Sequence, residues 1–512
     1  MGLERGTAGQ QMLQRSTTVS LLTGLGVVAG FAVDVLLVAR FGIGAETDAF
    51  FAGYTVPFIL VTRLAAIQPV VVSVLAGYRQ QPTAFAVLLN AAGLLAAAVA
   101  GLGALLAQPL VALTAPGFDA ATAAMAAQLA AILFARVPLA AVSEVCRAEL
   151  YARRRFALAT FASAVPSLVA AGVLLAGSAG GIQLVAWSFV AGALAQALLL
   201  VGVLFGALRA PYRLTLRHPE PVLRNTGRLV LAPLAGLFLR QGVTLAERVL
   251  GSYLPAGSVT ALSYANRLNT IVAGVFFDGV TTASLPVLTE RWRDGPLEAA
   301  RAELRMLLKL AITVALPIGL AVAALSTPLV RLFFERGEVQ VETALLLGTV
   351  LGVYSLSLPF LGPFRAVQTF FYAVQETWPV VILHGGLALL AVALDLVLVW
   401  SLGAVGLALA YAVSCGIMAV VGLAWVARRA GPLGWRSLVV STGRLAVVSA
   451  AAAASAWVVS QWLGAAAPDV SQGERLLSLA AGGLAGLLVF AGLGAILKLE
   501  VVTILVDVVK KR

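Results

Sequence analysis

The feature that most constrains this chain is a succession of apolar runs, each long enough to cross a lipid bilayer. A helix needs about 20 apolar residues to span the hydrocarbon core, and it must satisfy its own backbone hydrogen bonds there. The long second, eighth and tenth runs can tilt or bend, and Pro57, Pro69 and Pro359 are predicted break points. The sequence therefore predicts an all-α polytopic membrane protein of about 14 transmembrane helices, at residues 18–40, 49–77, 83–107, 122–146, 157–178, 181–207, 228–248, 257–286, 306–327, 342–371, 378–400, 404–427, 444–463 and 476–497.

The composition excludes a water-soluble fold. Hydrophobic residues make up 61% of the chain and charged residues only 11%, too little charge to cover a soluble surface. The net charge of +12 is scattered over short loops without stacking aromatic residues, so no nucleic-acid partner is expected. The two cysteines lie in apolar segments and the two histidines are far apart. No disulfide framework, metal site or cofactor is therefore predicted.

The basic residues predict the orientation in the membrane. With the N-terminus in the cytoplasm, 24 Lys and Arg residues fall on the cytoplasmic side, five on the opposite side and six within spans. Cytoplasmic loops carry such an excess of basic residues. We therefore expect a multi-pass protein of a bacterial inner membrane with both termini in the cytoplasm. Because no loop exceeds about twenty residues, a carrier is predicted rather than an enzyme.

An internal similarity divides the chain into two lobes. At an offset of 213 residues, Asp34 aligns with Glu247, and the following turn and helix start align as well. Two six-helix lobes related by a parallel repeat, with two further C-terminal helices, form a transporter architecture whose site lies between the lobes. Chance similarity between apolar segments is the alternative. The predicted divisions are an N-lobe at 1–207, a cytoplasmic linker at 208–227, a C-lobe at 228–428, and helices 13 and 14 with a cytoplasmic tail at 429–512.

Charged residues inside the apolar runs are the candidate functional residues. A charge at the centre of a transmembrane helix costs roughly 2.5–3.5 kcal/mol, so it usually faces a cavity or a partner. Guanidinium groups stay charged and bind phosphate oxygens in pairs. The arginines therefore predict a cationic chamber for an anionic, phosphorylated substrate, formed by Arg63, Arg136, Arg240, Arg267 and Arg365.

The alternative is that each arginine pairs with an acid and only locks helices together. This alternative applies to Arg240 with Glu247 and to Arg136 with Glu144. Neither Arg63 nor Arg267 has an acid one or two turns away in its own helix, which favours the chamber. Two acids, Asp34 and Asp48, either bind a coupling cation or pair with an arginine, and the sequence leaves both interpretations open.

Five segments resemble, in the right order, those of a known family. FGIGAETDAFFAGYTVPFIL (41–60) resembles the first-to-second-helix signature of the MurJ/MviN family, the lipid II flippases. The resemblance continues in TAPGF (114–118), GSVTALSYANRLNTIVAGVF (257–276), PLVRLFFERGEV (328–339) and TFFYAVQETWPVVI (369–382). It spans essentially the whole chain, and the family also has fourteen helices.

The resemblance implies a monomeric flippase of the multidrug/oligosaccharidyl-lipid/polysaccharide superfamily. Such a protein passes the pyrophosphate-sugar head of an undecaprenyl-linked precursor through a cationic cavity while the lipid tail stays in the bilayer. Arg267 matches a cavity arginine of the family, Asp48 matches its acid in TDAFF, and Asp34 matches the acid beside another family arginine. That arginine is replaced here by Val33, and Arg63 is displaced by one or two positions from a further one. These departures leave open a polyprenyl-linked glycan other than lipid II.

Other functions remain as alternatives. A cation-coupled multidrug exporter of the same superfamily would have an apolar chamber with acidic coupling residues. A non-transporting scaffold for cell-wall synthesis is suggested by Val33. An intramembrane glycosyltransferase would need acidic catalytic residues in sizeable loops, and the sequence has no such loops.

Overall fold

The computed structural model describes residues 2–66, 68–77, 83–177, 180–208, 212, 241–335, 341–431, 433–464 and 470–497, and these contain helices and no strand. Two compact units, Met1–Gln241 and Gly242–Arg512, divide the chain. The helices of the first unit are α1 (Gly2–Phe41), α2 (Ala45–Ala66), α3 (Gln68–Gly77), α4 (Thr83–Leu105), α5 (Ala107–Thr114), α6 (Ala120–Phe134), α7 (Arg136–Ala152), α8 (Phe156–Ala176) and α9 (Ile182–Val201), which ends in a π-helical turn (Gly202–Ala207). Those of the second are α10 (Gly242–Gly251), α11 (Ser258–Asp294), α12 (Leu297–Phe334), α13 (Val341–Ser355), α14 (Leu358–Ala373), α15 (Trp378–Ala430), α16 (Trp435–Trp462) and α17 (Gln472–Ile496).

The lengths of these helices confirm the predicted fold class. In the described part of the chain, 11 helices are long and apolar enough to cross a membrane, and the bent pair α13–α14 forms one more span. The 53-residue helix α15 contains a non-helical residue, Gly403. At 1.5 Å per residue this helix would be about 80 Å long, so it comprises two spans that meet at Gly403. The predicted span 228–248 is described only from Gln241 onward, and the predicted domain boundaries stay predictions.

The proline positions show where apolar segments break. Pro359 lies in the first turn of α14, directly after the break that was predicted there. Pro69 lies in the first turn of α3, but residue 67, between α2 and α3, lies outside the described residues, so a break there stays a prediction. Pro57 was also expected to break its helix, but α2 continues through it. In a membrane, neighbouring groups can satisfy the carbonyl that a proline leaves without a donor.

The internal similarity has a structural counterpart in each unit. Helix α2 begins at Ala45 and α11 at Ser258, and these positions are 213 residues apart. The aligned acids, Asp34 and Glu247, are both buried, with 6% and 5% of their surface exposed. In each unit, a buried acid therefore lies in the helix that precedes the aligned one, in α1 before α2 and in α10 before α11.

Small residues allow the helices of each unit to pack closely. A Cβ atom on Gly192 of α9 would lie 2.3 Å from the Pro166 carbonyl oxygen of α8. Gly482 and Gly486 of α17 approach the backbone of α16 in the same way, at 2.6 and 3.0 Å from its carbonyl oxygens. Because lipid is as apolar as leucine, close backbone packing drives such helix association.

Polar contacts fix the helix ends. Asp119 caps α6 by accepting hydrogen bonds from the Ala121 and Thr122 amides. At the start of α17, the buried Arg475 binds the Glu335 carboxylate at 3.1 Å, and Arg331 lies 3.4 Å from the same carboxylate. This ion-pair cluster holds α17 to the end of α12.

Candidate functional site

Arg136 is the predicted site residue whose surroundings are most informative. It begins α7, which continues α6 through a turn at Ala135 whose backbone angles remain helical. Its Nη1 donates a hydrogen bond of 3.1 Å to the Tyr54 hydroxyl of α2. Its guanidinium carbon lies 5.9 Å from the centre of the Tyr54 ring and 5.3 Å from that of Phe189. These are cation–π distances, so aromatic faces and a hydroxyl surround the charge.

Glu144, the acid considered as a partner for Arg136, is bound elsewhere. Its Oε1 accepts a hydrogen bond of 2.7 Å from Arg147, one turn further along α7. Its Oε2 accepts another, of 3.1 Å, from the Gln68 side chain. Within the described residues, Arg136 therefore forms no ion pair with a carboxylate, and its positive charge is not neutralised.

Three further predicted residues are buried in the first unit. Arg63 lies in the last turn of α2 and is 7% exposed. Asp34 of α1 and Asp48, in the first turn of α2, are 6% and 3% exposed. Val33 is 2% exposed and belongs to the apolar core of this unit, so the replacement of the family's arginine puts an ordinary packing residue there. The first unit thus contributes both signs of buried charge.

In the second unit, two predicted cations lie on neighbouring helices. Arg267 lies near the start of α11 and Arg365 near the middle of α14, and both are half-buried. Arg365 Nη1 donates to the Ala273 carbonyl oxygen of α11 at 3.4 Å, which joins the two helices. Arg240 lies outside the described residues.

A pair of buried carboxylates in the second unit was not among the predicted site residues. Glu247 of α10 is 5% exposed and accepts a hydrogen bond of 3.0 Å from the Tyr354 hydroxyl. Asp395 of α15 is 1% exposed, and neither of its carboxylate oxygens has a hydrogen-bond partner among the described residues. The helices that carry these two acids, α10 and α15, pack against each other. Both acids were visible in the sequence, but nothing there indicates that segments 148 positions apart pack together.

Glu247 and Asp395 do not belong to a larger cluster of metal-ligating side chains. The described ranges contain no group of three or more His, Cys, Asp or Glu residues placed to hold a metal ion. A buried carboxylate can bind a proton or supply oxygen ligands to a cation.

Comparisons with known proteins give the family. The profile described as "Lipid II flippase MurJ" matches residues 37–468. A probable lipid II flippase MurJ of Rhizobium meliloti (strain 1021) is 28% identical over 393 residues, which cover 73% of this chain and 72% of that protein. One of Rhizobium tropici is 28% identical over 451 residues, 83% of this chain and 82% of that protein.

Solved structures share the fold. A lipid II flippase MurJ in an inward closed conformation has a TM-score of 0.76 at 20% identity, and the match covers 94% of this chain and 99% of that one. An inward-facing multidrug resistance transporter of the MATE family has a TM-score of 0.70 at 17% identity, covering 80% and 95%. At these identities the solved structures establish only the fold. The family profile matches most of the sequence and therefore establishes the family. The chain therefore belongs to the lipid II flippase MurJ family.

Proposed function

We propose that this protein translocates an undecaprenyl-pyrophosphate-linked glycan precursor, lipid II or a related repeat unit, from the cytoplasmic to the outer leaflet. The observation that carries the proposal is Arg136, a half-buried guanidinium in a membrane-spanning segment that pairs with no described carboxylate. Keeping such a charge in the bilayer is costly, and a pyrophosphate group of the substrate would neutralise it through charge-assisted hydrogen bonds. Family membership supports the same substrate.

The remaining cations fit the same role. Arg63, Arg267 and Arg365 are proposed to contact the same anionic head group, and Arg240 is proposed with them from its position in the sequence. The protein then binds and moves its substrate without changing it, so it is not an enzyme. We place it in the bacterial inner membrane with both termini in the cytoplasm, acting as a monomer by alternating access.

We extend the proposal to a coupling cation. Glu247 and Asp395 are buried acids on two helices that pack against each other, and Asp395 has no hydrogen-bond partner among the described residues. A proton or a monovalent metal ion would neutralise such a buried carboxylate. Asp34 and Asp48 are the corresponding candidates in the first unit. Replacing Asp395 with Asn should make transport insensitive to a gradient of that ion while substrate binding persists.

The proposal is tested with two arginines of the same helix. Arg136→Gln should lower translocation of a labelled polyprenyl-pyrophosphate sugar in vesicles roughly tenfold or more, because a charge-assisted hydrogen bond is lost. Arg147→Lys is the control on the same helix, since a lysine there still neutralises Glu144, and it should retain transport per folded molecule. Arg267→Ala should abolish translocation at unchanged protein level. Wild-type transport in both Arg136→Gln and Arg267→Ala would refute the proposal.

The alternatives predict different results. A multidrug exporter would move labelled organic cations and leave the lipid-linked sugar in place. A non-transporting scaffold would fail to complement a strain depleted of its lipid-linked precursor flippase. The precursor that accumulates on the cytoplasmic face of a depleted strain identifies the glycan.

A further inference from the structure

The break between α13 and α14 is the place in the second unit where buried polar groups concentrate. The two helices meet at an angle of 40°, and only Leu356 and Ser357 separate them. Ser355 and Ser357 are both fully buried. Broken spans with polar groups at membrane depth occur where the backbone is enclosed by protein, and in transporters they often adjoin binding sites.

One side of the break is tied to a buried acid. Tyr354, in the last turn of α13, is 1% exposed and donates its hydroxyl hydrogen bond to Glu247 at 3.0 Å. Its ring stacks on that of Tyr411 at 4.7 Å, which fixes the direction of the hydroxyl. The end of α13 is therefore held by the Glu247 carboxylate, and the strength of this contact depends on whether that carboxylate is charged.

The other side of the break is tied to the helix that carries Arg267. Asn269, two residues after Arg267, is 3% exposed, and its side-chain amide donates to the Ser357 hydroxyl at 3.0 Å. One turn further along α11, the Ala273 carbonyl oxygen accepts the hydrogen bond from Arg365 of α14. Arg365 is thus held to α11, and Asn269 ties the same helix, two residues from Arg267, to the break.

The two contacts are rigidly connected to each other. Ser357 donates its backbone N–H to the Tyr354 carbonyl oxygen at 3.0 Å, so the residues that touch Glu247 and Asn269 lie in one hydrogen-bonded turn. A hydrogen bond to an ionised carboxylate is roughly twice as strong as one between neutral groups. Neutralising the Glu247 carboxylate therefore weakens its hydrogen bond with the Tyr354 hydroxyl. The turn that contains Tyr354 and Ser357 transmits this change to Ser357.

We propose that the turn Tyr354–Ser357 couples the Glu247 carboxylate to the substrate cations, with Tyr354, Ser357 and Asn269 as positioning residues for Arg267 and Arg365. The proposal rests on the proposed function, in which those arginines bind the pyrophosphate. With Glu247 charged, the turn holds Arg267 and Arg365 in the arrangement that binds substrate. With Glu247 neutralised, the turn is released and the affinity for the pyrophosphate falls.

A double-mutant cycle tests this coupling, because sites without a shared partner normally have additive effects. The purified full-length protein is titrated with undecaprenyl pyrophosphate, and thermal unfolding is recorded for every variant. Glu247→Gln and Ser357→Ala should each weaken binding roughly fivefold, the loss expected for one hydrogen bond. The double variant should bind no more weakly than the weaker single variant, since either change already disconnects the turn.

Matched controls separate coupling from loss of packing. Ser460 is as fully buried as Ser357, but its hydroxyl bonds only the Trp457 carbonyl of its own helix, so Ser460→Ala should leave the effect of Glu247→Gln unchanged. Tyr354→Phe should reproduce Glu247→Gln, whereas Tyr372→Phe, on the exposed face of α14, should bind like the wild type. If Ser357→Ala unfolds the protein, Asn269→Ser replaces it in the cycle.

The outcomes distinguish the two proposals. If the two substitutions act independently, two fivefold losses multiply to a roughly 25-fold loss of affinity in the double variant, and this result would overturn the coupling. Wild-type affinity in both single variants would overturn it as well. If Arg136→Gln and Arg267→Ala also bind undecaprenyl pyrophosphate like the wild type, the proposed function itself fails. Loss of binding in Arg267→Ala together with independent effects in the cycle would leave the proposed function standing and refute only the coupling.

Discussion

Replacing Gly53 with Ala should disturb both the packing of α2 and the surroundings of Arg136. Gly53 lies on α2, where a Cβ atom would stand 2.5 Å from the Ala126 carbonyl oxygen and 3.0 Å from the Ala130 amide nitrogen of α6. Both are backbone atoms, so no side chain can rotate away. To reach an ordinary contact of 3.4 Å, the two helices must separate by about 0.9 Å.

That separation has a cost in stability and a consequence for the site. Forcing a methyl group into a packed interface costs about 1–3 kcal/mol, and the better helix propensity of alanine returns about 1 kcal/mol. The net loss should therefore be up to about 2 kcal/mol. Tyr54 follows Gly53 directly, and its 3.1 Å bond to Arg136 would lengthen beyond hydrogen-bonding distance if α2 retreated by this amount.

Gly101→Ala on α4 is the matched control, because nothing lies within 4 Å of its added Cβ. Thermal unfolding of the purified protein should show a loss for Gly53→Ala and none for Gly101→Ala. Vesicle transport per folded molecule should fall for Gly53→Ala alone. A Gly53→Ala protein as stable and as active as the control would refute the packing argument and the role assigned to Tyr54.

Three other predictions concern the ends and the interior of the helices. Glu335→Gln should cost about 3–5 kcal/mol in the free energy of unfolding, because it leaves buried arginines without their carboxylate, and thermal unfolding measures this loss. Cys146 and Cys415 are fully buried, so maleimide should label them only after unfolding. The Thr122 side chain and the backbone amides of Thr122 and Ala121 hold the pKa of Asp119 below its ordinary value of 3.8. The stability that this cap adds should be complete above pH 3.8 and should be lost as the pH falls through the lowered pKa. Unfolding measured as a function of pH should show this loss in the wild type but not in Asp119→Asn.

The fold was largely predictable because a bilayer leaves few choices. An apolar run of about 20 residues has to become a helix there, and Pro359 marked the broken span correctly. Pro57 did not break α2, since the cost of a proline depends on whether neighbouring helices can satisfy the freed carbonyl. That information lies in tertiary packing, which a single helical segment does not contain.

The identity of the charged residues was predictable, but their partners were not. Arg136 and Tyr54 are 82 residues apart, and Glu247 and Tyr354 are 107 apart. Helical periodicity shows which residues share a face of one helix, but it does not give the register between two helices. The hydrogen bond between Glu247 and Tyr354 was therefore not predicted.

Local competition explains why Arg136 has no carboxylate partner among the described residues. Arg136 and Glu144 are eight residues apart, about two helical turns, whereas Arg147 follows Glu144 at three residues, the spacing at which helical side chains meet. The nearer arginine takes the carboxylate at 2.7 Å, and Arg136 is left to the Tyr54 and Phe189 rings. Aromatic faces stabilise a cation without cancelling its charge. A guanidinium held in this way keeps its attraction for an incoming anion, which an arginine locked in an ion pair has already lost.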